Sequence, residues 1–215
     1  MSNANRVALL GIVLFVAPSC AWAQNEGQAD LDKAIEAKVA ARSLNELGQV
    51  IELCQSALDR GLDKDGVAFA KQLLSSTLVQ RATVISEEAV FNATPSDQAG
   101  VQRWVQFRQF AVQDLERALR HDPNLFDAHY LLGRLQSQPG GDAKRGLKAL
   151  DEAVRLAGDD AANRSKALVA RAELQEDAEK RLADLDEAIK LTPEDPDALR
   201  ARGEFHLSAG KAQEA

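Results

Sequence analysis

The sequence predicts an all-α fold, a solenoid of antiparallel helical hairpins, on three observations. A phrase of apolar, acidic, charged, Ala and aliphatic residues returns every 35 residues, as Leu115-Glu116-Arg117-Ala118-Leu119, Leu150-Asp151-Glu152-Ala153-Val154 and Leu185-Asp186-Glu187-Ala188-Ile189. A period of that length marks one supersecondary unit that cannot hide its apolar face alone and must stack on its neighbours. Strand signals are weak: aromatics make up 5% of the chain and no long β-branched alternation occurs. Helical spacing, with capping chemistry at its starts, runs through the body of the chain.

Residues 1–23 read as a secretory signal. Arg6 supplies the positive start, Val7 to Pro18 an apolar run of 12 residues, and Ala21-Trp22-Ala23 the small residues of a cleavage site. The run is shorter than the roughly 20 apolar residues a spanning helix needs. Cleavage is expected before Gln24, and nothing after it is apolar enough to span a bilayer. Lipid attachment at Cys20 is disfavoured, because Ala17-Pro18-Ser19 lacks the Leu such a signal carries. The expected localisation is periplasmic or secreted.

The leader holds one charged residue, Arg6, so the net charge of −7 becomes −8 without it. An acidic chain is a poor match for nucleic acid, whose phosphates need basic stripes, and for anionic membrane surfaces. Only Cys54 remains after cleavage, so no disulfide forms within the chain and stability must come from the core. About 190 residues suffice for one.

Residues 24–65 read as a degenerate helical hairpin. Ser43 with Glu46 forms a capping box, and Leu44, Leu47, Ile51, Cys54 and Leu58 follow at helical spacing as one stripe. Cys54 within that stripe reads as a small core residue rather than a reactive thiol. Residues 66–123 read as an elongated hairpin. The phrase at Cys54–Leu58 precedes Leu115 by 61 residues, an excess of 26 over the period. Split between two helices, the excess adds about three and a half turns to each. One long helix is expected over 66–91 and another over 101–121, with Asn92 to Gly100 as the turn. This hairpin should overshoot its neighbours.

Residues 124–215 read as regular repeats, the last one truncated. Asp122-Pro123-Asn124 and Thr192-Pro193-Glu194 punctuate the joins, and Asp195-Pro196 provides a cap and a first-turn proline. Leu132-Gly133 and Arg202-Gly203 place Gly in mid-helix, at a cost of about 1 kcal/mol relative to Ala. Close approach of another helix would justify that cost. Pro139-Gly140-Gly141 and Ala209-Gly210-Lys211 supply turns. The next phrase would begin near position 220, beyond Ala215, so a fragment or the opening of a longer array is expected.

Asp127-Ala128-His129-Tyr130-Leu131-Leu132-Gly133 followed by Ala153, and Asp197-Ala198-Leu199-Arg200-Ala201-Arg202-Gly203 with Gly210 and Ala215, resemble the tetratricopeptide repeat (TPR) family. The unit at 162–195 fits through Leu168, Leu185, Ala188 and Pro193. The likeness covers 124–215 well and 28–123 loosely. It implies a right-handed solenoid whose first helices line a concave, partner-binding groove. On that register the groove residues would include Tyr130, Arg134, Lys166, Glu173, Arg200 and Glu204. Ala167 and Ala170 stand where a clamp for a terminal carboxylate would want Asn.

No catalytic constellation is evident: there is no His-Glu-x-x-His, Gly-x-Ser-x-Gly, phosphate loop or Cys-x-x-Cys. His121 falls at a helix end, where a cation suits the dipole. The resemblance puts His129 and His206 between helices, and the three match no metal-ligand pattern. Asp63-Lys64-Asp65-Gly66 begins like a calcium loop but lacks the remaining ligands, and Asn92-Ala93-Thr94 is a glycosylation sequon by pattern only. The long hairpin offers a second candidate surface: Val84, Val90, Phe91, Val101 and Trp104 lie beyond the reach of ordinary neighbouring helices. Either they staple the two long helices or they form an exposed patch for a partner or for self-association. The expected role is a non-catalytic, exported protein-interaction scaffold without a cofactor or metal. The alternative is the interaction arm of a larger exported enzyme or envelope-assembly factor continuing past residue 215.

Overall fold

The structure is a computed structural model that describes residues 26–210. The proposed signal at 1–23, with Cys20, and the last residues of the truncated unit lie outside that range. The described residues form the helices α1 (Gln28–Ala40), α2 (Leu44–Arg60), α3 (Lys64–Ser86), α4 (Gln98–His121), α5 (Phe126–Ser137), α6 (Ala143–Ala157), α7 (Ala161–Leu174), α8 (Ala178–Leu191) and α9 (Pro196–Ser208). No strand occurs among them.

Most helices begin where the sequence offers a cap. The Ser43 hydroxyl accepts from the Glu46 amide while the Glu46 carboxylate accepts from the amides of Ser43 and Arg42, which completes the capping box. Asp63, Asp97, Asp142, Asp160, Asp177 and Asp195 cap α3, α4, α6, α7, α8 and α9. Many of the chain's acids therefore satisfy free amides at positive helix ends. Asp63-Lys64-Asp65-Gly66 is accounted for in this way: Asp63 accepts from the Gly66 amide at 2.7 Å as a helix start.

Successive helices pair as α1/α2, α3/α4, α5/α6 and α7/α8, and α9 opens a fifth unit. First helices also touch first helices in a ladder, α1 to α3, α3 to α5, α5 to α7 and α7 to α9. Among the described residues the second helices show no such close backbone approach; long side chains bridge them instead, Arg117 on α4 to Gln55 on α2 and Arg145 on α6 to Glu116 on α4, so they splay apart. An array whose first helices crowd together while the second helices separate is concave on the first-helix face.

The 35-residue phrase faces inward. Leu115, Leu150 and Leu185 are buried, as are Ala118, Ala153 and Ala188. The Ala lets the paired helix approach and the Leu fills the space beside it. At roughly 25 cal/mol per Å2, burying one such Leu contributes about 2 kcal/mol. Gly133 meets the expectation of close approach: a Cβ there would lie 2.3 Å from Cγ of Leu150 on α6. Gly140, with φ +73°, turns the chain between α5 and α6.

Half-buried ion pairs reinforce the hairpins. Arg81 on α3 grips Asp114 on α4 through two hydrogen bonds of 2.7 Å. Arg171 on α7 grips Asp184 on α8 at 2.9 and 2.6 Å and also reaches Asp151 on α6 at 2.9 Å. The two-pronged guanidinium matches the carboxylate geometry, which fixes the pairing as well as strengthening it.

The elongated hairpin is present, with one departure. The α-helix stops at Ser86 and the chain continues as a single π turn over Glu87–Phe91. The Asn92 side-chain amide donates to the Glu87 carbonyl at 2.8 Å, and that five-residue reach prolongs the wider π spacing. Val90 is buried at the end of this turn. Its carbonyl accepts the Trp104 indole N–H at 3.0 Å, which ties the two long helices together near their tip. Phe91 and Trp104 pack against the main core cluster. The expectation that Phe91 lies beyond neighbouring helices is corrected: the Arg134 guanidinium of α5 sits 4.1 Å above its ring. Val101 does not join the staple and stays about half exposed.

Candidate functional site

The concave face carries a recess of about 240 Å3 lined by residues of three successive first helices and the cap of the last: Tyr130 and Arg134 from α5, Lys166, Val169, Ala170 and Glu173 from α7, and Asp195, Asp197 and Arg200 around the start of α9. The recess arises because residues one helical turn apart on α5 and α7 point the same way while α9 closes the far wall. Five of the six groove residues expected from the sequence converge here. Glu204 does not line the recess; it sits one turn further along α9, with its carboxylate 3.7 Å from Arg200.

Tyr130 is half-buried and stacks on Phe126, with ring centroids 5.8 Å apart and planes 7° from parallel. Burial raises the phenol's pKa above its ordinary value, so it stays neutral near pH 7 and can donate a hydrogen bond into the recess. Arg134 lies between two aromatic rings, 5.7 Å from Tyr130 and 4.1 Å from Phe91, and 3.7 Å from Glu87. It therefore links the recess to the π turn of the long hairpin. Arg200 is held by Asp197 at 2.9 Å. Desolvation raises the Glu173 pKa, with Glu204 adding to it, while Arg134, Arg200 and Arg181 act in the opposite sense. Glu173 keeps contact with solvent, so water screens much of this. The recess thus offers one aromatic platform, three cations and three carboxylates within a short span.

Asp195 was visible in the sequence only as a cap, and Asp197 only as the start of the stretch that carries the family resemblance; the start of α9 brings both to the groove. Val169 and Ala170 supply an apolar floor that spacing alone does not single out. Two of the three histidines behave differently from expectation. Burial and the nearby Lys71, Arg117 and Arg120 lower the His121 pKa, which works against the cation expected at that helix end. His129 does not pack deeply between helices; its Nε2 lies 2.9 Å from the Pro123 carbonyl, within the turn before α5. His206 is buried and meets Phe205 edge-on, with centroids 5.5 Å apart. Among the described residues no group of three or more His, Cys, Asp or Glu is arranged to hold a metal ion. None of their helices is long and apolar enough to cross a membrane.

No family model matches the chain, and no curated protein matches it. Solved structures of stacked-helix proteins resemble it at low identity. A thermophilic TPR protein of Thermus thermophilus, TTC0263, is 17% identical with a TM-score of 0.43, over 84% of this chain and 99% of that one. YrrB, described as a TPR protein with an unusual peptide-binding site, is 18% identical with a TM-score of 0.40, over 82% and 92%. The assignment as an all-α array of helical hairpins rests on the helix order and packing given above.

Proposed function

We propose that this chain is a non-catalytic scaffold that binds an extended segment of another protein in the concave groove, and that it acts after export from the cytoplasm. One observation carries the binding reading: five side chains chosen from the register that the tetratricopeptide resemblance implies, on three successive first helices, line a single recess. The half-buried Tyr130 offers a rigid apolar face with a polar tip, the type of side chain that anchors interfaces. Arg134, Lys166 and Arg200 suit carboxylates of the segment, while Glu173 and Asp195 suit a cation beside them. The tetratricopeptide resemblance of residues 124–215 supports the same reading, and the Arg6, Val7–Pro18 and Ala21–Ala23 pattern supports export.

Random peptides displayed on phage and selected against the full chain test the groove. Selected peptides should lose most of their binding to Tyr130→Ala and Arg200→Glu variants. Selected sequences that bind both variants as well as wild type would overturn the reading. Mass spectrometry of the protein recovered from the periplasm tests export, with a mature start at Gln24 expected. A full-length, cytoplasmic product would refute it.

A further inference from the structure

The long hairpin presents a second stripe of side chains that the core does not use. On α4 the core stripe runs through Trp104, Ala111, Leu115 and Ala118. Beside it Arg103, Phe107, Phe110, Asp114 and Arg117 recur at spacings of four, three, four and three, which places them on one flank of the helix. Phe110 is 57% exposed and Phe107 39% exposed. The flank opens beside the start of α2, where Leu44 and Asn45 face Phe110 across a recess, and it closes further along where Arg117 donates to Gln55 on α2 at 3.2 Å. Two recesses open along it. One, of about 490 Å3, lies between the start of α2 and α4 over the back of α3, where Leu44, Ile85 and Phe110 supply its apolar wall. The other, of about 250 Å3, lies at the hairpin tip beside Trp104 and Phe107. From Arg103 to Arg117 the stripe spans about 21 Å at 1.5 Å per residue, the length of a four-turn helix.

Charge identifies the occupant. The lining of the two recesses includes Arg81, Arg103 and Arg117 and a single carboxylate, Asp114. Asp114 and Arg81 neutralise each other through two hydrogen bonds, which leaves Arg103 and Arg117 as the net charge of the flank, Arg117 also donating to Gln55 on α2. Residues 98–113 contain no Asp or Glu, in a chain with 33 acids against 26 Lys and Arg. The corresponding cleft between α4 and α6 is polar, lined by Arg108, Gln113, Glu116, Gln136 and Arg145 among others, and offers no aromatic side chain. We propose that the α4 flank docks a short acidic amphipathic helix of a partner protein, with apolar side chains set about two turns apart in the two recesses. This surface shares no lining residue with the groove and does not depend on the groove being a binding site.

The probe is a fluorescein-labelled peptide of about 18 residues, with Leu at two-turn helical spacing and Glu on the other faces, beside a twin carrying Lys for every Glu. Anisotropy titrations with the full chain should show the Glu peptide binding at least about tenfold more tightly than the twin, with added salt narrowing the difference. Phe110→Ser and Phe107→Ser should each weaken the Glu peptide by about tenfold. Both side chains are exposed enough to be replaced without unfolding, which circular dichroism checks. Tyr130→Ala, in the groove, should leave this binding unchanged. Equal affinity for the two peptides, no binding by the Glu peptide, or indifference to both Phe substitutions would overturn the proposal. So would sedimentation of a wild-type dimer that Phe110→Ser dissolves, since a second copy would then own the flank.

Discussion

Replacing Gly133 by Ala sets two effects against each other, and the structure decides which one wins. In a solvent-exposed helix the change stabilises by about 1 kcal/mol, because Ala loses less backbone entropy than Gly. Here the added methyl would stand 2.3 Å from Cγ of Leu150, 2.7 Å from Cδ2 and 2.9 Å from Cδ1. Ordinary carbon contacts lie near 3.5–4.0 Å, so Leu150 would have to retreat by more than about 1 Å. It has no room, being fully buried between α5 and α6. Overpacking of this kind typically costs about 1–3 kcal/mol. After the helix-propensity gain, a net loss of roughly 1 kcal/mol remains, reaching about 2 if the two helices must part. Urea denaturation followed by helical circular dichroism measures it as a lower midpoint at an unchanged slope. A double-mutant cycle isolates the contact. Leu150→Ala alone should cost about 2–5 kcal/mol, and in the Gly133→Ala background it should cost less by about 1 kcal/mol, since the new methyl fills part of the vacated space. A Gly133→Ala protein more stable than wild type, or strictly additive single and double variants, would refute the close helix approach.

Leu185→Ala should cost about 2–5 kcal/mol by leaving a cavity in the third copy of the phrase, and an unchanged thermal midpoint would show that the repeat phase is misassigned. Arg171→Ala should destabilise by about 2 kcal/mol, because the buried Asp184 loses both of its hydrogen bonds; restoration of stability by Arg171→Met with Asp184→Leu would confirm that the cost lies in the stranded carboxylate. Cys54 should resist iodoacetamide at pH 8 until urea is added, since burial pushes its thiol up to about 11. The folded thiol thus binds its proton more tightly than the unfolded one. The stability it contributes is complete below the ordinary value of 9.0 and is lost as pH rises toward about 11. The wild type should therefore lose more stability than Cys54→Ala across that interval in urea titrations, and parallel pH curves would contradict the assignment.

Much of the fold was legible because repetition multiplies weak signals. One copy of Leu-acid-charge-Ala-aliphatic says little, but three copies at one spacing fix which face of α4, α6 and α8 turns inward. The length of the second hairpin could be read from the spacing excess, whereas its π turn could not. That turn depends on how Val90 and Trp104 meet across the hairpin, a tertiary contact that local spacing does not encode. The groove residues were accessible through the tetratricopeptide resemblance, which implies which side of each first helix faces the groove. Glu204 stands one turn beyond Arg200, with its carboxylate turned to that guanidinium at 3.7 Å, and so stays outside the recess. The Arg81–Asp114 and Arg171–Asp184 pairs went unseen, since in a sequence rich in charge nothing distinguishes a gripped Arg from a solvated one. The contact of Arg134 with Phe91 was hidden for a different reason: it joins two units whose helices differ in length, so no fixed spacing relates them.

The groove assignment is tested most directly by titrating a phage-selected peptide into the isotopically labelled protein and following backbone amide shifts. The perturbed amides should cluster on α5, α7 and the start of α9 around Tyr130, Glu173 and Arg200. Shifts concentrated instead on the outer faces of α6 and α8, with those three residues unmoved, would contradict it.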